Sequence, residues 1–422
     1  MKHSLVISLG ALLLGASMTL AAEAKHEETP TTAPTTLPAP FTDPHWKKIT
    51  IATDFVSEGA SFGDFNHDGA QDVVSGPYWY EGPDFTKRHE YTTPEGALKP
   101  DGQYSHFFFS FTYSFKNDGW DDIIVIGFPG QPTWWFENPR GKETADGHWT
   151  RHQVFDVTDN ESPWFTDLLG TGKPVLVCMS GGCAGYALPD YDAPEKPWTW
   201  HPISPNKKYH KYVHGLGVGD VNGDGRQDII VHDGWYEQPA DLKGDPEWTF
   251  HKADFGGGGA QMYAYDVNGD GRPDVVTSLA AHGYGLAWFE QNADGSFTKH
   301  LITGKEVADT PHGLRFSQIH AVDLIDMNGD GLKDIVTGKR FYAHHSHGDP
   351  EPKAAAVLYW FELKRDGKGG AEFIPHMIDN NSGVGTEVQA RDINHDKKPA
   401  ILVGNKKGTF VFLQQPDASA AK

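Results

Sequence analysis

Cysteine is nearly absent from this 422-residue chain, with two residues in all. That excludes a disulfide-stapled scaffold and a multi-cysteine metal cluster. The two lie close together in Cys178-Met-Ser-Gly-Gly-Cys183, where one short-loop disulfide and two free thiols both remain open. Basic residues are also scarce: 36 Lys and Arg against 57 Asp and Glu leave a formal charge of -21. Nucleic acid and anionic membrane surfaces are therefore poor partners. The apolar run at residues 5–14 is too short to span a bilayer, and no later segment is apolar enough to do so. A nucleophile elbow, a P-loop, a dinucleotide fingerprint and an HExxH motif are all missing, which disfavours hydrolases of those classes.

Glycine and aromatics are plentiful: 48 Gly, 13 Trp, and 12% Phe, Trp and Tyr together. This composition suits many short strands joined by tight turns. Residues 1–24 read as a signal peptide, with Lys2 and His3 before the apolar run and Ala22-Glu23-Ala24 at the cleavage point. The expected location is periplasmic or extracellular. Residues 25–44 form a Thr/Pro-rich linker, residues 45–416 the folded body, and residues 417–422 a disordered tail.

The strongest signal is an internal repeat. The pattern D-x-N-x-D-G-x-x-D occurs at 64–72, 220–228, 266–274 and 326–334, each time followed by a Val/Ile strand. Degraded copies at 114–122, 167–175 and 392–400 fill the gaps, so the motif recurs every 46 to 66 residues. An aromatic strand follows each Val/Ile strand, as in Tyr78-Trp-Tyr-Glu81, Trp235-Tyr-Glu237 and Trp288-Phe-Glu290. A further strand ends in histidine, at His152, His201, His251, His300 and His376, and their recurrence in register points to packing. One strand before the loop and three after it make a propeller blade. The expected fold is therefore all-β, a seven-bladed β-propeller. The last copy lacks an outer strand, and Trp46-Lys-Lys-Ile49 is a strand without a blade. The N-terminal strand is expected to close the ring, removing open edges.

The loops alternate carboxylates with an amide and place Gly at the turn, which makes an oxygen cage for a hard cation such as calcium. The expected ligands, in about four structural sites, are Asp64, Asn66, Asp68 and Asp72; Asp220, Asn222, Asp224 and Asp228; Asp266, Asn268, Asp270 and Asp274; and Asp326, Asn328, Asp330 and Asp334. An EF-hand would need Glu at position twelve, where the second loop has Val231. These repeats resemble the FG-GAP or VCBS repeats of integrin α-subunit propellers and secreted bacterial proteins, from about Trp46 to Gln415. The resemblance implies fold and calcium, and leaves activity open.

In such blades the loop joins the innermost strand to the next. The start of the inner strand and the end of the second then share the opposite face. Counting back six residues from the first Asp gives Glu58, Glu161, His214 and His320, with His106, Gln261 and Glu387 at or beside equivalent positions. The ends of the second strands add His282, Tyr284, Lys339 and Arg340, and a long insertion adds His344 and His345. Glu58, His106, Glu161, Gln261, Glu387, His344 and His345 are candidates for binding an axial metal or a substrate. His and Glu together suit zinc or another divalent metal.

The stretch Thr277-Ser-Leu-Ala-Ala-His-Gly-Tyr-Gly-Leu-Ala-Trp-Phe-Glu290, with Gln318-Ile-His320 and Thr337-Gly-Lys-Arg-Phe-Tyr342, resembles the propeller domain of aldos-2-ulose dehydratase. That family eliminates water from keto-sugars such as 1,5-anhydrofructose. The resemblance implies His214, His282, His320, Lys339 and Arg340 as catalytic candidates, joined by Tyr284 from its position. The chain has no room for the cupin domains of the fungal enzymes. The expectation is a secreted carbohydrate-active lyase acting by β-elimination on a saccharide. The alternative is a non-enzymatic, calcium-stabilised propeller that binds polysaccharide or protein.

Overall fold

In the computed structural model the described residues are 39–144, 146–341 and 343–415. The expected signal peptide, nearly all of the linker and the C-terminal tail lie outside them. All described residues belong to the unit comprising residues 37–422. They form 28 strands of three to nine residues, one short 3-10 turn and one four-residue helix, His345–Gly348. Among the described residues no helix is long and apolar enough to cross a membrane.

The Val/Ile runs after each Asp loop become second strands such as Asp72–Ser75, Asp228–Val231 and Asp334–Gly338, in which every residue is buried. Burial on both faces is what a strand between two packed neighbouring sheets requires, and it explains the lack of polar alternation. At the loop turn, Gly69, Gly225, Gly271 and Gly331 adopt φ of 84°, 88°, 86° and 85°, where a side chain would be strained. The ninth-position Asp clamps each unit. Asp72 accepts the Phe65 amide at 2.9 Å and the Gly82 amide at 2.8 Å. Asp228, Asp274 and Asp334 each bond the equivalent two amides. So does Asp122 in a degraded copy, through Phe115 and Asn138.

The expected seven separate blades are not what forms. Five sheets have four strands each, and a sixth has eight. The eight-stranded sheet holds two antiparallel four-stranded units, joined where Leu216–Gly219 runs parallel to Gln261–Tyr265, with Leu216 opposite Gln261 and Gly217 opposite Met262. Glycine explains the fusion. A Cβ at Gly217 would stand 2.2 Å from the Met262 carbonyl oxygen, and one at Gly219 would stand 2.6 Å from the Ala264 Cβ. Without those atoms the two inner strands approach closely enough to hydrogen-bond.

The N-terminal strand does pair with the last one. Trp46–Ala52 lies antiparallel to Gly408–Gln414, with Trp46 opposite Gln414 and Ile49 opposite Val411. Apolar side chains then bridge the last sheet to the first: Leu402 and Val411 share a core cluster with Phe62, Val73 and Tyr80. The histidines of the outer strands pack as expected. His251 stacks on Trp235 with ring centroids 4.1 Å apart, and its Nε2 lies 2.8 Å from Glu237. His89, His152, His300 and His376 repeat that arrangement. Cys178 and Cys183 are free thiols, because the hairpin register sets Cys178 opposite Gly185 and Cys183 opposite Ser180.

Candidate metal centre at the entry to the inner strands

Glu58, Glu161, His214 and His320 each stand two or three residues ahead of an innermost strand, and backbone bonds tie those entries together. The Glu161 amide donates to the Val213 carbonyl at 2.9 Å, and the Thr386 amide donates to the Glu58 carbonyl at 2.8 Å. His282 and Arg340 arrive from the other direction, just beyond the second strands Asp274–Ser278 and Asp334–Gly338. The register counted from the Asp loops thus brings residues up to 282 positions apart in sequence into one cluster.

The Nε2 atoms of His214 and His320 are 3.2 Å apart, and those of His214 and His282 are 3.1 Å apart. Glu161 Oε2 lies 3.2 Å from His320 Nε2 and 3.5 Å from His214 Nε2. The four ligand atoms all fall within 4.8 Å of one another. Ligands about 2.0 Å from a tetrahedral zinc stand roughly 3.3 Å apart, so the spacing fits one divalent ion. Burial, with His320, His214 and Arg340 nearby, holds His282 far below its ordinary value. Burial and Arg340 bring His320 down to about 3, against the pull of Glu161. Neutral imidazoles are the form that ligates metal. Burial opposes ionisation of Glu161, yet His214 and His320 hold its carboxyl well below the usual range. The donor set is therefore three neutral nitrogens and one carboxylate, which suits zinc and its first-row neighbours.

Arg340 is buried above this group. Its Nη2 donates to Glu58 Oε2 at 2.8 Å, and its Nη1 lies 3.7 Å from Glu161 Oε2. Lys406 Nζ is 3.9 Å from Glu58 Oε1 and 4.1 Å from the centroid of the Tyr104 ring. Burial brings Lys406 down to about 8, opposed by Glu58. A cavity of about 220 Å³ opens on the cluster, lined by Glu161, His282, Arg340 and His344 on its polar side and by Tyr104, Phe108, Phe128 and Tyr212 on its aromatic side.

Other candidates lie apart from the cluster. Lys339 is buried and donates to Ser317 Oγ at 3.0 Å; burial brings it down to about 8. Tyr284 bridges to Ser317, and Arg315 sits over its ring. His106 is exposed and bonded to Glu95. His345 is exposed, with its Nδ1 3.8 Å from Asp101 Oδ1. Gln261 links inner strands through Thr386 and Val322, and Glu387 accepts the Ser110 amide in a buried position that raises its carboxyl well above the usual range. Nothing in the sequence marked Asp349, which pairs with His344, or the wall residues Tyr104, Phe128 and Tyr212. The insertion containing Asp349 was legible as histidine-rich, but the acid within it carried no distinguishing signal.

The FG-GAP-like repeat family matches residues 220–277 and 266–337. No curated protein matches the chain in sequence. Among solved structures, an Agrocybe aegerita lectin described as recognising non-reducing terminal N-acetylglucosamine is similar at 19% identity over 76% of this chain and 80% of that one, with a TM-score of 0.46. BBS1N in complex with ARL6DN is similar at 10% identity over 91% and 99%, with a TM-score of 0.46. The Photorhabdus luminescens Tc holotoxin pore is similar at 14% identity over 89% of this chain and 15% of that one, with a TM-score of 0.34. With its repeated Asp loops and sheets of short antiparallel strands, the chain has a β-propeller arrangement that carries FG-GAP-like repeats over residues 220–337.

Proposed function

We propose that the Glu161, His214, His282 and His320 cluster holds a divalent metal of the zinc class and that the cavity beside it is a lyase site for a small saccharide. The observation that carries this reading is the convergence of three imidazole Nε2 atoms and one carboxylate oxygen at 3.1 to 3.5 Å spacing. A bound divalent cation would supply Lewis acidity toward a substrate oxygen. Arg340, with its charge only partly met by Glu58 and Glu161, is placed to stabilise negative charge developing on that oxygen. In a β-elimination a base removes the proton α to a carbonyl, a double bond forms, and the β-oxygen leaves as water. The aromatic wall of Tyr104, Phe128 and Tyr212 offers faces on which a sugar ring packs. The likeness of segments 277–290, 318–320 and 337–342 to aldos-2-ulose dehydratase supports a keto-sugar substrate.

The Asp loops fit calcium as structural staples. Burial pushes Asp72, Asp228, Asp274 and Asp334 up to about 6, with neighbouring loop carboxylates adding to the shift, and a cation would relieve that crowding. The leader peptide expected from the sequence supports export of this activity.

The test is metal analysis of the purified protein together with an assay on 1,5-anhydrofructose, followed by the ultraviolet absorbance of the conjugated enone. One or more transition-metal ions per chain and rising absorbance are expected in the wild type. His214→Ala is expected to reduce turnover by at least 100-fold, on the order of a lost metal ligand, with little change in melting temperature. Wild-type protein devoid of transition metal, or full turnover in His214→Ala, refutes the reading.

A further inference from the structure

The insertion after Asp334–Gly338 brings a second set of ligands to the first. His344 Nδ1 is 3.0 Å from Asp349 Oδ1, and the His344 amide donates to Asp349 Oδ2 at 2.7 Å. The His344 ring lies over His282, with centroids 4.2 Å apart. His282 turns its Nε2 toward His214, while its Nδ1 faces Asp349 Oδ1 at 3.9 Å. That distance is too long for a hydrogen bond. The His282 Nδ1 is nevertheless buried and has no hydrogen-bond partner among the described residues. One imidazole therefore directs each of its two nitrogens at a different group of ligands, and one of the two is unsatisfied. A buried polar atom left without a partner costs roughly 1–3 kcal/mol.

The insertion is also held in place. Tyr104 OH donates to the Ala343 carbonyl at 2.8 Å, Ser346 bonds Asp101 through its amide and its hydroxyl, and Ser317 Oγ donates to the Pro350 carbonyl at 2.7 Å. The side chain of Asp349 is only 5% exposed, although it lies on a surface loop. A carboxylate fixed at that depth, beside an unsatisfied imidazole nitrogen and a second imidazole, is a preformed nitrogen–oxygen donor set. Ligand atoms about 2.0–2.2 Å from a shared ion stand roughly 3–3.5 Å apart. The spacings of 3.0 and 3.9 Å bracket that value.

We propose that His282, His344 and Asp349 form a second seat for a divalent transition metal, bridged to the first by the His282 imidazole. The inference rests on the metal reading of the Glu161, His214, His282 and His320 cluster. Filling the second seat replaces the last N–H of His282 with a metal bond and releases that one proton to solvent. The second ion faces the cavity beside Arg340, so the mouth holds a pair of cations for an oxygen-rich substrate, and His344 and Asp349 serve as ligands.

The experiment uses full-length protein stripped of transition metal, kept in calcium, and dialysed against zinc, with metal content measured per chain. A parallel set is loaded with copper(II) for electron paramagnetic resonance. Two zinc ions are expected in the wild type and one in each of Asp349→Asn and His344→Ala, with melting temperatures checking that the variants fold. Copper in the wild type is expected to give an exchange-coupled pair with reduced intensity. In either variant it is expected to give the full signal of an isolated ion. One zinc in the wild type and in both variants overturns the second seat and leaves the first standing, with His344 and Asp349 then available as a proton-transfer pair. Two zinc ions in the wild type and still two in both variants overturn it as well. No zinc in the wild type removes the first seat along with the second.

Discussion

Asp122 shows what the terminal carboxylate of the repeat does by itself. Its copy begins with Ser114 and lacks the first loop carboxylate, yet Asp122 still bonds the amides of Phe115 and Asn138. Burial pushes it up to about 7, against the lowering effect of the Asn138 amide and Arg140. An unfolded Asp titrates near 3.9. Between these values the folded chain binds more protons, so this site's contribution to stability is complete below about pH 4 and is lost as the pH rises through 7. The upper bound is about 4 kcal/mol, at about 1.4 kcal/mol per pH unit. Urea unfolding of Asp122→Asn between pH 4 and 7 is expected to show a flatter pH dependence than the wild type. The variant should also lose about 1–3 kcal/mol at pH 4, because an amide nitrogen cannot accept the second backbone bond. An unchanged slope would mean that Asp122 is ionised throughout. At this scale the axial site was partly legible. Glu58, Glu161, His214 and His320 could be found by counting from each loop, since a repeat fixes where its strands begin. Asp349 could not, because an insertion has no repeat to count from.

At the scale of elements, repeated strands set the pairing within each unit, while two glycines decided how two units join. Gly217 and Gly219 allow the Leu216–Gly219 strand to bond Gln261–Tyr265 in parallel. Gly217→Ala is expected to push the strands apart against the Met262 backbone and to cost about 1–3 kcal/mol. Hydrogen exchange should quicken at the amides of residues 216–219 and 261–265, and exchange as slow as in the wild type would show that the pairing tolerates a side chain. The aromatic–histidine–glutamate layer on the outer strands was legible as packing because it recurs in register. The fusion was not, since glycine in an inner strand reads equally as a bulge or a turn.

Across the whole molecule, the four complete Asp loops follow the inner strands and Glu161, His214 and His320 precede them, so metals proposed at the two places are expected to have separable effects. Adding EGTA is expected to lower the melting temperature by several degrees, on the scale of about 1–3 kcal/mol. Excess calcium should restore it. A melting temperature indifferent to EGTA and calcium would show that the Asp clamps hold the loops without a cation. The ring depends on its ends in the same global way. Trp46–Ala52 completes the last sheet, and the packing of Leu402 and Val411 against Phe62 and Val73 joins that sheet to the first.

The sequence by itself determined the repeat, the strand register it imposes and the return of the N-terminal strand. These follow from local chemistry: Asp and Gly at the turns, Val and Ile in the strands between packed faces, and an unpaired strand at each end of the array. Tertiary structure alone decided which candidates meet. His214, His282 and His320 converge with Glu161, while Lys339, Tyr284, His106 and His345 do not. The reason is direction. Register fixes the position of a residue along a strand, but the packing of neighbouring sheets and of the 343–351 insertion sets where its side chain points.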